Sequence, residues 1–215
     1  MSLLGDLLVS ARAAIRQAFA PAPPAAAVVA CVKCDKSLNA IVRHGDKVFK
    51  HDSAGNIKAV KVGAPYGVGH GGAPGETFIA QKFELELQNG TKVEALKSLG
   101  RWDATTQKIV RDGRMDADCH GVTFANGEYW INNDQVDAML NGGGFKLAKT
   151  AKPGDVLVYR DVHGEVVHSV TVSQVDAAGR PLQVSGLGGI EMKEHFDDPS
   201  VAWFDPSASR EIYSP

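Results

Sequence analysis

Apolar residues recur through the first nineteen positions, MSLLGDLLVSARAAIRQAF, at Leu3, Leu4, Leu7, Leu8, Ala11, Ile15 and Phe19, with Asp6, Arg12, Arg16 and Gln17 elsewhere on the wheel. That spacing predicts an amphipathic helix. The stretch APAPPAAA at 20–27 predicts a stiff, extended linker, because each proline fixes its φ and removes a donor. The main domain is expected to run over 28–215. In it, β-prone pieces such as AIVRHGDKVFKH alternate with turn signals at His44-Gly45-Asp46 and Ser53-Ala54-Gly55-Asn56, predicting a hairpin subregion over about 28–75. The glycine-rich VGAPYGVGHGGAPGE, Val62 to Glu76, reads as a loop. Next, FIAQKFELEL has near-alternating polarity, Asn89-Gly90 is a turn, and Val93 to Leu99 reads as a short helical run.

Polarity changes character after Cys119. A short segment, CHGVTF, is cut off by Ala125-Asn126-Gly127, and a further helix is expected between a cap at Asn132 or Asn133 and a stop at Gly142 to Gly144. Three β-rich runs follow, DVLVYR, EVVHSVTVSQV and PLQVSG, separated by His163-Gly164 and Asp176-Ala177-Ala178-Gly179. This is the pattern of an antiparallel meander. Helical elements first and sheet afterwards argue an α+β fold.

Size narrows the picture. A chain of 215 residues, 44% hydrophobic, supports one substantial core rather than two large domains. Its 23 basic and 25 acidic residues leave a net charge of −2, without the basic excess that nucleic acid or anionic membranes select. No uninterrupted apolar run reaches the roughly 18 residues of a spanning helix. A secretory signal is not expected either, since Asp6, Arg12 and Arg16 interrupt the first apolar stretch instead of preceding it. Val28-Val29-Ala30-Cys31 loosely matches a lipoprotein cleavage site, but Pro21, Pro23 and Pro24 make the segment before it a poor anchor.

Three cysteines cannot form a dense disulfide framework, and their spacing leaves Cys119 alone beside the Cys31-x-x-Cys34 pair. A thiol attacks as its thiolate, so a catalytic cysteine needs a helix N-terminus or an imidazolium to lower its pKa from about 8.5. In Asp118-Cys119-His120-Gly121 both are expected, with Gly121 allowing a tight turn and nearby N–H groups available to an oxyanion. His168 lies 49 residues on (168 − 119), in a β-run, where it can take the sulfur's proton and return it to a leaving amine. Gln183, with Ser185 as second choice, is the candidate third residue to orient the imidazole. Taken singly, a lone cysteine is more often a small buried hydrophobe and a strand histidine a satisfied core or surface group.

Asp118, Cys119 and Gly121, followed by the Pro153-Gly154-Asp155 turn, a strand, and then His168-Ser-Val-Thr-Val, together resemble the catalytic half of papain-like NlpC-type and CHAP-like cysteine peptidases. The resemblance covers roughly residues 100 to 190. It implies a helical segment carrying the cysteine packed on an antiparallel sheet or half-barrel, a third catalytic residue falling on Gln183, and no cofactor. It further implies hydrolysis of the peptide stems of bacterial peptidoglycan. Small size and the amphipathic first helix look like effectors made in the bacterial cytoplasm and delivered by type VI machinery to another cell's periplasm, with a cognate immunity protein as partner. Two departures stand out: His120 replaces a small residue, and the helix after the cysteine is short. The alternatives are a Cys-His deamidase or transglutaminase-like toxin acting on proteins, and a non-enzymatic binding module with an inert Cys119.

Other signals carry less. Cys31, Cys34, His44 and His51 have the residue types of a tetrahedral zinc site, but one C-x-x-C without a second favours free thiols or a local disulfide, so no metal is expected. His70 sits in a glycine-rich loop that lacks the phosphate-loop pattern. His195, Asp197 and Asp198 read as surface groups, and Trp102, Trp130 and Trp203 as core aromatics.

Overall fold

In the computed structural model, which describes residues 43–68, 77–111, 117–188, 193–197 and 207–215, the β-rich runs after Cys119 form consecutive antiparallel strands. These are β6 (Val156–Arg160), β7 (Val166–Val175) and β8 (Pro181–Gly188), in a six-stranded sheet of order β5-β10-β6-β7-β8-β9. β5 is Lys146–Ala148, β9 Lys193–Asp197 and β10 Ser209–Ser214. A second antiparallel sheet has the order β1-β2-β3-β4, with β1 Ala59–Val68, β2 Phe78–Glu86, β3 Lys92–Asp103 and β4 Lys108–Val110. Helices are short: α1 (Gly45–Val48), α2 (Cys119–Phe124), and a 3-10 turn at Asn133–Gln135 leading into α3 (Val136–Gly142). The mixture is compatible with α+β. The chain divides into the units Met1–Ala40 and Ile41–Pro215, and the first helix, the linker, Cys31 and Cys34 lie outside the described residues.

Three sequence expectations are corrected. Val93 to Leu99 is strand, not helix: the turn at Gly90, with φ of 87°, brings the chain back along β2. Val93 and Ala95 then point into the core while Glu94, facing out, pairs with Lys82 at 2.7 Å. Pairing and burial override a modest helical preference. Val62 to Val68 belongs to β1 rather than a loop, with an irregularity between Val62 and Tyr66 that accommodates Gly63 and Pro65 on an edge strand. Finally, His44 to Asp46 begins a helical turn instead of a hairpin, because the Gly45 N–H donates to Asn126 Oδ1 at 3.1 Å from a segment 81 residues away.

The main core lies between the sheets. Leu85, Val93 and Ala95 from the first sheet meet Val156, Val158 and Val166 from the second, with Phe124 of α2 and Met139 and Leu140 of α3 between them. A smaller cluster, Leu157, Tyr159, Val170, Val172 and Val184, covers the opposite face of the six-stranded sheet. Arg160 ties α3 to the sheet, its Nε donating to Glu211 at 2.7 Å and its Nη1 to Asp137 at 3.3 Å.

One buried group is a liability. His44 is 1% exposed, tilts against Phe145 at 5.6 Å between ring centroids, and has no hydrogen-bond partner among the described residues at either ring nitrogen. A buried unpaired polar group costs about 1–3 kcal/mol. His44→Leu is therefore expected to raise stability by about 1 kcal/mol or more in urea unfolding at pH 7; a lower midpoint would show that the imidazole has a partner in solution.

Candidate functional site

Asp118 makes α2 possible. Its backbone is extended, and its buried carboxylate Oδ1 accepts from Gly121 N at 2.7 Å and from Ile131 N at 3.0 Å. The first bond caps the helix. The second pins the Tyr129–Ile131 segment across the first turn of α2, so close that a Cβ on Gly121 would lie 1.7 Å from the Tyr129 carbonyl oxygen. At its other end α2 stops as the sequence predicts: the Ala125 N–H bonds back to Gly121 O, Asn126 adopts φ of 55° and Gly127 φ of 77°.

Cys119 opens this helix and keeps part of its surface exposed. Its sulfur faces β7. Val172 exchanges backbone hydrogen bonds with Asp155 and Gly154 on the β6 side, so the N–H and C=O of Ser169, three residues earlier, point away from β6 toward β8. The β7–β8 ladder runs from Val175 only as far as Thr171↔Ser185. Beyond it α2 takes the place of the strand: the Ser169 N–H is directed at the Cys119 sulfur, and Ser169 O accepts from Thr123 Oγ1 at 3.1 Å. Cys119 and Thr123 are one helical turn apart and grip the two ends of one strand residue.

The thiol is not activated in this conformation. Burial, and then the adjacent Asp118 charge, push it up to about 12, against the opposing N–H groups of Ser169, His120 and Cys119 itself. The lowering expected from the helix start is outweighed by desolvation, which penalises the charged sulfur more than three N–H groups favour it. Asp118 is itself raised to about 7 by burial, although the N–H groups of Ile131 and Gly121 oppose the rise.

His168 is buried on β7 opposite Tyr159, with ring centroids 5.4 Å apart. Alternation directs it to the face of Leu157 and Val170, whereas the Ser169 side chain points to the face that carries Val158 and α2. A bulge at the start of β7 sets this phase, since Arg160 pairs with Val166 but Tyr159 with His168. The sulfur approaches β7 at its edge, at the peptide unit joining His168 to Ser169. Gln183 is not brought to the imidazole: it lies opposite Gln174, six residues along β7 and so roughly 20 Å away. Ser185 lies opposite Thr171, three residues from His168.

The side chain that the sequence undervalued is His120. It is fully buried, with Nδ1 2.8 Å from Ser169 Oγ and Nε2 2.9 Å from Asn133 Oδ1. Burial lowers its pKa to about 4, so the ring is neutral. The available signal was the departure itself: a large polar residue where the resembled pattern has a small one must find partners if it is buried.

Comparison with protein-family models, curated proteins and solved structures finds no match to this chain. The chemistry therefore rests on the residues alone. Among the described residues, no group of three or more His, Cys, Asp or Glu is arranged to hold a metal ion, and no helix is long and apolar enough to cross a membrane. Of the four zinc-type residues, Cys31 and Cys34 lie outside the described residues, His44 is buried against Phe145, and His51 Nε2 sits 3.8 Å from Asp46 Oδ1. His70, Asp198 and Trp203 also fall outside, and only the backbone of His195 and Asp197 is described, on β9. Trp102 is 42% exposed at the β3–β4 hairpin and not a core residue.

Proposed function

We propose that the protein is a cysteine hydrolase of peptide or amide bonds, with Cys119 as nucleophile and His168 as its base. One observation supports this reading: the peptide N–H directed at the sulfur is that of Ser169, the residue bonded directly to His168, so the sulfur lies at the edge of β7 beside the His168 backbone, and the imidazole must turn from the Leu157–Val170 face to reach it. Because the resting thiol is protonated, the base must act at the moment of attack. An imidazole nitrogen takes the sulfur's proton as the S–C bond to the substrate carbonyl forms, and the same proton leaves with the amine when the C–N bond breaks. Water then cleaves the thioester. Backbone N–H groups of Cys119 and His120 are the nearest donors for the oxyanion. Tyr159, packed on the His168 ring, orients the imidazole in place of Gln183.

The papain-like fold and the peptide stem of bacterial peptidoglycan as substrate follow from the residues that resemble NlpC-type enzymes, whereas delivery by type VI machinery, with a cognate immunity protein, follows from the small size and the amphipathic first helix. Digestion of purified wall fragments, read by mass spectrometry, tests the substrate. Wild type should release stem peptides, while Cys119→Ala and His168→Ala should each lose at least about 100-fold in rate. Equal release by wild type and Cys119→Ala would end the mechanism. Modified glutamine in a protein target, with no stem peptides released, would move the enzyme to the deamidase class.

A further inference from the structure

The Cys119 site contains a hydrogen-bonded chain that the hydrolase mechanism does not use. Asn133 Oδ1 can only accept, so His120 Nε2 carries the ring proton and donates at 2.9 Å. In the neutral ring Nδ1 is then an acceptor, and the Ser169 hydroxyl donates to it at 2.8 Å. All the other polar groups of Ser169 are engaged by α2 as well, the carbonyl by Thr123 and the N–H by the Cys119 sulfur. Three elements separated in sequence, α2, β7 and the 3-10 turn, thus meet at one imidazole.

We propose that Asn133, His120 and Ser169 form a positioning relay for Cys119, in which the buried imidazole holds the Ser169 side chain and thereby keeps the Ser169 N–H aimed at the sulfur. None of the three acts on substrate. The relay rests on Cys119 being the reacting group, and it deepens that reading by naming what sets the sulfur's environment. Burial supports the relay, since a neutral ring is the only form that can accept from Ser169 while donating to Asn133. A protonated ring would donate from both nitrogens and turn the Ser169 hydroxyl away.

Iodoacetamide alkylation of Cys119, followed against pH and resolved from Cys31 and Cys34 by peptide mass spectrometry, tests the relay without any substrate. Ser169→Ala and His120→Leu each release the N–H from the sulfur. Both should move the profile to higher pH and slow alkylation at pH 9 by about 3- to 10-fold, the effect of roughly half to one pKa unit. The double variant should be no slower than either single one, because the residues act in series. His120→Gln, which keeps one acceptor and one donor, should restore most of the wild-type profile. Superimposable profiles for wild type and Ser169→Ala, a change small enough to keep the fold, would overturn the relay, as would fully additive shifts. Shifted profiles in an enzyme that digests no wall fragment would uphold the relay and count against the hydrolase reading.

Discussion

Gly121→Ala is expected to abolish the native fold around Cys119. The added methyl would sit 1.7 Å from the Tyr129 carbonyl oxygen and 3.1 Å from the Ala117 Cβ, and backbone atoms cannot swing aside as a flexible side chain would. The approach is close because one Asp118 oxygen holds both Gly121 N and Ile131 N, so relieving the clash means breaking the helix cap or the Ile131 bond. The released donor would then be buried without a partner. Overpacking of a fixed core costs about 1–3 kcal/mol or more and the orphaned donor a further 1–3 kcal/mol, together a large part of the whole stability of a domain this size. The control is Gly127→Ala, which has open space but φ of 77° and should cost only about 1 kcal/mol. Urea unfolding of the two variants checks the difference; similar midpoints would mean that the Tyr129 segment moves freely relative to α2.

Asp118→Asn should stabilise the protein progressively as pH rises from about 4 to about 7. The folded pKa of Asp118 is raised from 3.8 to about 7, so between those values the folded state holds a proton that the unfolded chain has lost, and stability falls with rising pH. His44 and His120 work in the opposite sense. Their folded pKa values are lowered from 6.5 to about 4, so the unfolded chain binds the extra protons and stability rises over the same range. Two histidines against one carboxyl leave the wild type gaining about 1.4 kcal/mol per pH unit between pH 4 and 6.5. Asparagine keeps an oxygen for the Gly121 and Ile131 N–H groups but cannot ionise. The variant should match wild type near pH 4 and exceed it by about 3–4 kcal/mol at pH 7.5. Its thiol should also alkylate at lower pH, since the neighbouring charge that raises Cys119 is gone. Parallel stability curves for the two proteins across pH 4–8 would show that Asp118 ionises normally.

Strands written as β-prone runs between turn signals, such as DVLVYR and FIAQKFELEL, were legible, as were turns with a fixed chemistry: Asn89-Gly90, and Asp176, whose carboxylate accepts from Ala178 N and Arg180 N. Segments whose state depends on a distant partner were not. Val93 to Leu99 and Val62 to Val68 become strands only because β2 lies beside them. The site divides in the same way. Asp118, Cys119 and Gly121 stand out locally because a cap, a thiol and a glycine have consequences within one helical turn.

Composition and periodicity by themselves pointed to a mixed chain, compatible with α+β, with an antiparallel meander and an odd thiol near the start of a helical or turn segment. Tertiary structure alone decided that α2 replaces β8 beside Ser169, that Gln183 lies six residues of register away from His168, and that His120 is buried between Ser169 and Asn133. The physical reason is range. Caps, turns and alternation act over a few residues and are written in order along the chain, whereas strand register and the phase set by a single bulge arise from pairing between segments tens of residues apart.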